Sequence, residues 1–72
     1  EMLEIVMTEG HELLNLPLSG LGLPRGVLVA LVERKKEVFV PDGMTRLQPG
    51  DHVILFASTP RMREAAERFG GV

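Results

Sequence analysis

Glu37-Val38-Phe39-Val40-Pro41-Asp42-Gly43-Met44-Thr45-Arg46-Leu47-Gln48-Pro49-Gly50-Asp51-His52-Val53-Ile54-Leu55-Phe56 is the stretch that decides the fold. It reads as strand, tight turn, short connector, tight turn, strand. Two clusters of breakers, Pro41-Asp42-Gly43 and Pro49-Gly50-Asp51, stand between apolar runs. Proline with its fixed φ, followed by a residue free to take φ > 0, is the chemistry of a type I or II turn. Gly43 and Gly50 are therefore turn residues, Gly50 with positive φ. Asp51 is a turn carboxylate that accepts backbone N–H bonds, worth one local hydrogen bond or roughly 0.5–2 kcal/mol. The chain folds back on itself here and displays no reactive group.

Upstream, Val27 to Val32 is apolar at every position and leads into a charged hairpin tip, Glu33-Arg34-Lys35-Lys36-Glu37, with Val38-Phe39-Val40 returning. Downstream, Val53 to Ala57 is a second run without alternation. A strand with one wet face alternates, so both runs are expected to be buried on both faces. Leu3 to Met7 forms a first strand with Glu4 outward. Between it and the second strand, Glu12 to Leu23 carries six leucines broken by Asn15, Pro17, Gly20 and Gly22. So many breakers allow one short helical turn near Leu18 to Leu21 in a segment laid over the sheet. Pro24-Arg25-Gly26 turns the chain into the second strand. At the end, Thr59 is the expected N-cap of a helix with Pro60 at its first position. Met62, Ala65, Ala66 and Phe69 recur at i, i+3, i+4 and i+7 and form its apolar stripe, Glu64 pairs with Arg68, and Gly70-Gly71 stops it. One helix and one covering loop cannot hide two faces of a four- or five-stranded sheet, so a second copy or a neighbouring domain is expected to cover the remainder.

Composition narrows the function. At 72 residues, the chain is one small domain, 1–72, of a size at which a lone core rarely gives more than about 3–5 kcal/mol. Cysteine is absent, so disulfides and thiolate zinc sites cannot make up the difference, and oligomerisation or attachment to a larger protein is left. A net charge of −2 and the lack of Trp and Tyr argue against nucleic acid as a partner. No apolar run approaches the roughly 20 residues of a membrane span, and no signal peptide is visible. The direct start into a strand reads as part of a longer protein.

No residue set supports catalysis, a metal or a cofactor. His11 and His52 have no HxH or HExxH neighbourhood and read as a turn and a strand-edge histidine. Asp51 has no second carboxylate at a pairing distance in sequence. Ser19 and Ser58 lack a Gly-x-Ser-x-Gly elbow. Gly20-Leu21-Gly22 follows no strand and lacks a third glycine at dinucleotide spacing. Arg34-Lys35-Lys36 is a solvated tip that blunts edge pairing, and the methionines are gap fillers.

Leu21-Gly22-Leu23-Pro24, Arg34, Val40-Pro41-x-Gly43-x-Thr45-x-Leu47 and Gly50-Asp51, in that order and spacing, resemble the TrkA-C domain, the C-terminal half of the RCK family of potassium-transport regulators. The resemblance runs from the first strand through Phe69. Within the group, the step from Leu-Pro-x-Gly into a strand is most similar to the domain at the cytoplasmic end of bacterial potassium/proton or cation/proton antiporters. Two positions depart: Asn15-Leu16-Pro17 stands where a glycine is usual, Asn being the residue that best tolerates the left-handed region after Gly, and Lys35-Lys36 stands for Asp-Gly. The resemblance implies an α+β fold of mainly antiparallel strands, a homodimer, and regulation of transport. In some members cyclic di-AMP lies across the dimer two-fold, at positions corresponding to Leu18, Leu21, Val27 and Pro41. Arg25 is added on physical grounds, as a guanidinium at a strand entrance able to meet a phosphate.

The reading is a non-enzymatic, cytoplasmic, ligand-sensing homodimeric domain of a potassium or cation transport system. Its expected partners are a membrane transporter domain of the same or another chain and a small anionic ligand such as a cyclic dinucleotide. Its rivals are a purely structural dimerisation module, and a small β-barrel domain of an unrelated enzyme or translation protein.

Overall fold

The structure, a computed structural model, describes residues 1–70. Strand β1 spans Met2–Val6, β2 Leu28–Arg34, β3 Glu37–Phe39 and β4 His52–Phe56; helix α1 spans Thr59–Arg68, and a single 3-10 turn covers Leu18–Gly20. The four strands form one open sheet in the order β1-β4-β2-β3, antiparallel throughout. An open sheet with a helix on one face is the expected α+β arrangement, and the closed-barrel alternative falls.

The element ends shift by a residue or two, for identifiable reasons. Met7 was expected inside the first strand. It leaves the ladder but stays paired with the turn opposite, its N–H donating to the Asp51 carbonyl at 2.8 Å and its carbonyl accepting from Gly50 at 2.7 Å. β2 runs on through Arg34, so the hairpin tip shrinks to Lys35 and Lys36, with Lys35 in the left-handed region at φ 57. A β-bulge between Val29 and Leu31 lets Val29 and Val32 both face the core.

The core sits between one sheet face and α1. Val32, Val53 and Leu55 meet Met62, Ala65 and Phe69, with Leu13, Leu21 and Leu47 closing the side. The helical stripe is as its periodicity predicts. Its start is not: the N-cap is Ser58, in extended conformation, and Thr59 is already helical. The Glu64–Arg68 pair does not form either. Glu64 takes Arg61 at 2.9 Å, while Arg68 crosses to the Leu21 carbonyl at 2.7 Å and to Glu12 at 3.3 Å. Buried backbone oxygen competes better for a guanidinium than an exposed neighbour on the same helix. Gly70 ends the helix at φ 69; Gly71 lies outside the described residues.

In the single chain β2 and β4 are buried on one face only, so the expected burial of their second face rests on the second copy or neighbouring domain that the count of elements calls for. Both alternate, with Leu28, Leu31 and Phe56 exposed on the face away from α1. One helix covers one face, as the count of elements required.

Of the two proline turns, only the second takes a positive φ. Pro49-Gly50 is a type II turn closed by the Asp51 N–H on the Gln48 carbonyl at 3.1 Å, with Gly50 at φ 89. The first turn runs instead from Asp42 to Thr45, closed at 3.1 Å, with the Asp42 side chain accepting from the Met44 N–H at 2.9 Å. Gly43 needs no special φ there. A Cβ on Gly50 would meet nothing within 4 Å, so a substitution there tests backbone strain alone. Gly50→Val is expected to cost more than about 1 kcal/mol, read as a lowered midpoint in chemical denaturation; an unchanged midpoint would contradict the turn.

Candidate ligand-binding site

The segment Asn15 to Ser19 is held to the connector by a run of backbone bonds: Asn15 N–H to Leu47 at 3.2 Å, Leu18 N–H to Thr45 at 2.9 Å and Ser19 N–H to Gly43 at 3.0 Å. Asn15 takes the left-handed conformation, φ 65, that starts this run, and Arg46 donates back to its carbonyl. The 3-10 turn is thereby fixed beside Pro41–Gly43. Further along, Pro24-Arg25-Gly26 closes a tight turn, Val27 N–H to the Pro24 carbonyl at 3.3 Å, with Gly26 at φ 91. This turn aims the chain into β2 and leaves Arg25 exposed at its corner.

Between these three pieces lies an open cleft of about 440 Å³. Leu18, Arg25, Val27 and Pro41, expected at a ligand site, line it, as does Gly43, which the sequence marked only as a turn residue. Leu21 does not. It is 0% exposed and its side chain is packed in the core; its N–H closes the 3-10 turn on the Leu18 carbonyl at 3.2 Å and its carbonyl accepts from Arg68. In a 3-10 turn followed by a reversal, the residue after the turn points inward, which spacing alone did not show. Ser19, Leu23 and Asp42 also line the cleft and were not singled out. The signal for Ser19 was its position in the predicted turn; for Asp42 it was the Pro-Asp-Gly run.

The chemistry of the cleft is mixed. Leu18, Leu23, Val27 and Pro41 give flat apolar walls, Ser19 a hydroxyl and Arg25 a cation. Asp42 is occupied by the Met44 N–H and the Thr45 hydroxyl. Such a surface suits a flat ring with one adjacent anionic group.

Gly50 and Asp51 lie away from the cleft and are structural, but Asp51 does more than bond its own turn. Its side chain is 1% exposed and takes a two-pronged contact from Arg34, Nε to Oδ1 at 2.9 Å and Nη2 to Oδ2 at 2.8 Å, besides the Gln48 N–H at 2.9 Å. Arg34 also donates to the Arg46 carbonyl at 2.9 Å and stacks on the Phe39 ring at 5.2 Å. It is therefore not part of a solvated tip. Burial pushes the Asp51 carboxyl up, but the Arg34 hydrogen bonds, the Gln48 N–H and the Arg34 charge outweigh it and the net shift is downward. The same hydrogen bond holds Arg34 above its ordinary value. His11 likewise has a structural post, with Nε2 on the Phe69 carbonyl at 2.7 Å and Nδ1 accepting from the Leu13 N–H at 3.0 Å.

The cleft beside the 3-10 turn, the Arg34–Asp51 pair and the β1-β4-β2-β3 sheet occur in one continuous stretch, residues 2–70, that matches the TrkA-C domain. The chain belongs to the TrkA-C domain family. This TrkA-C domain is 29% identical over 69 residues to the Trk system potassium uptake protein TrkA homolog 1 of Methanosarcina mazei, an alignment covering 96% of this chain and 15% of that protein. It thus spans about a seventh of that relative's length. Among solved structures, an RCK domain with cda has a TM-score of 0.80 at 24% identity, covering 94% of this chain and 96% of that one. The RCK_C domain dimer of S. agalactiae BusR in complex with c-di-AMP has a TM-score of 0.79 at 18% identity, covering 97% and 90%. BusR solved with its promoter DNA matches equally well over 36% of its chain. At these identities the likeness is one of fold. Among the described residues, no helix is long and apolar enough to cross a membrane.

Proposed function

We propose that this TrkA-C domain is a non-enzymatic, cytoplasmic ligand-sensing domain that works as a homodimer and regulates a potassium or cation transporter, carried on the same or a partner chain. The observation that carries the reading is the cleft: the 3-10 turn and the connector it is bonded to meet the Pro24–Gly26 turn around apolar walls and the cation of Arg25, which has no partner among the described residues. The ligand class that fits is a nucleotide with one phosphate per protomer, for which a cyclic dinucleotide such as cyclic di-AMP is the two-fold symmetric case. Support comes from the c-di-AMP bound to the BusR RCK_C dimer and from kinship with the Trk potassium uptake proteins. Regulation follows if one arrangement of the two protomers binds ligand better than another, because the differential affinity is the free energy available to bias the transporter.

Calorimetric titration with cyclic di-AMP, ATP and AMP tests this. Binding of cyclic di-AMP is expected, and Arg25→Ala is expected to weaken it by more than one exposed ion pair is worth, about 1 kcal/mol or fivefold, since a two-fold ligand meets Arg25 twice. No heat and no thermal shift with any of the three would remove the sensing role. The apolar outer face of the sheet favours the second reading, a dimerisation module without a ligand, and that outcome would select it.

A further inference from the structure

We infer that Arg68, in the last turn of α1, is a positioning residue for the cleft: it holds one wall in shape from behind without touching the ligand. This rests on the ligand reading of the cleft and names what the site's shape depends on. Leu21 is 0% exposed, and the carbonyl of so deeply buried a residue has to find a donor within the protein. Arg68 Nε supplies it at 2.7 Å, as a charge-assisted bond. Along the chain, the Leu21 N–H is used on Leu18 at 3.2 Å, and the next backbone hydrogen bond is Val27 to Pro24 at 3.3 Å. Between them stand Gly22 and Leu23, which both line the cleft and make no backbone hydrogen bond among the described residues. Arg68 is thus the polar tie that sets where these two residues leave the core.

Gly22 shows how close the tie is. It sits at φ 72, a conformation suited to glycine, and a Cβ built on it would come to 3.4 Å from Arg68 Nε. The guanidinium therefore lies against the backbone that forms the wall. Arg68 is itself held: Nη1 meets Glu12 at 3.3 Å, and a cation in the last helical turn is favoured by the helix dipole. The neighbouring Phe69 carbonyl takes His11 at 2.7 Å. The covering segment is tied to the end of α1 at His11 and Glu12, near its start, and at Leu21, where it opens into the cleft. Without the guanidinium, the Leu21 carbonyl loses its donor and can be satisfied only by a shift of the segment toward water, which carries Gly22 and Leu23 with it. If the binding-competent wall is then present in about one molecule in ten, apparent affinity falls about tenfold.

Arg68→Met keeps the length of the side chain and removes its donors. In the ligand-free ¹⁵N-labelled variant, the amide signals of Gly22 and Leu23 are expected to move while those of Thr45 and Leu47 in the connector stay in place. Calorimetry, at a temperature where the variant is fully folded, is expected to show cyclic di-AMP bound about tenfold more weakly. The salt dependence of binding is expected to be unchanged, because no contact to a phosphate is lost. Arg63→Met, which removes an exposed charge from the same helix, is expected to bind as wild type does. Linkage gives a check that needs no variant. A bond that favours the competent wall is strengthened by the ligand to the same degree, so solvent exchange of the wild-type Arg68 Nε–H is expected to slow about tenfold at saturating cyclic di-AMP. Unmoved Gly22 and Leu23 amides, unchanged affinity, a loss that Arg63→Met shares, or an Nε–H indifferent to ligand would overturn the role. A wild type that binds no cyclic di-AMP would instead remove the ligand reading, and the ligand-free spectrum of Arg68→Met would still decide whether Arg68 sets the wall.

Discussion

Arg34→Met is expected to lower the stability of this domain by about 3 kcal/mol, the lower end of the range for breaking a buried ion pair. The lower end applies because Arg34 is 26% exposed and water can reach part of the vacated space, whereas Asp51 at 1% cannot follow it out. For a domain whose lone core gives about 3–5 kcal/mol, such a loss leaves a large unfolded fraction at 25 °C. Denaturant titration measures it, and a cost below about 1 kcal/mol would mean that the pair is no stronger than a surface one. Replacing both partners, Arg34→Met with Asp51→Leu, is expected to recover part of the loss, because no charge is then left buried alone, although the Gln48 N–H loses its acceptor.

The pair also fixes how stability depends on pH. The Asp51 carboxyl is lowered in the folded state, so its contribution is complete above the ordinary aspartate value of about 3.9 and is lost as pH falls through the lower folded value. In Arg34→Met the sign reverses. Burial then acts on Asp51 without its counter-ion and raises the folded value, so the variant is expected to lose its deficit relative to wild type as pH falls through that raised value.

Leu21→Ala carries the second large effect, an expected loss of about 2–5 kcal/mol for a fully buried leucine in a close-packed core. The contrast with Leu18→Ala is the informative part. Leu18 is half-buried on the wall of the cleft, so its truncation is expected to cost less stability and to weaken ligand binding more. Thermal unfolding and calorimetry on the two variants separate the roles. Equal destabilisation, or a stable Leu21→Ala that fails to bind, would return Leu21 to the site and contradict its place in the core.

Most of the fold was legible because local signals agreed with one another. Pro49-Gly50 before an apolar run, the 3.6-residue stripe of Met62, Ala65, Ala66 and Phe69, and the breakers around Leu18 each had one sensible conformation. What could not be read was what depends on a distant partner. Asp51 looked like a local turn carboxylate because Arg34, its counter-ion, is seventeen residues away in sequence and is brought over only by the β2–β4 register. Arg68 looked like a partner for Glu64 until the loop supplied the Leu21 carbonyl. The unbroken apolar runs of β2 and β4 and the count of covering elements together signalled a second apolar face that the chain's own elements leave open, and Leu28, Leu31 and Phe56 are exposed on it. The cleft was half legible. Leu18, Arg25, Val27 and Pro41 fall on it, while Leu21 dropped inward and Ser19, Asp42 and the turn residue Gly43 came in by way of the pairing between the 3-10 turn and the connector.

The central claim is that a nucleotide-like ligand occupies the cleft between the 3-10 turn, the entrance to β2 and the turn after β3. The most direct measurement is a two-dimensional amide spectrum of the ¹⁵N-labelled domain titrated with cyclic di-AMP. Saturable shifts are predicted at Ser19, Arg25, Gly26, Val27 and Gly43, with the exposed face of α1 unmoved. A spectrum that does not change at millimolar ligand, or one whose shifts gather on α1 and spare Arg25 to Val27, would contradict it.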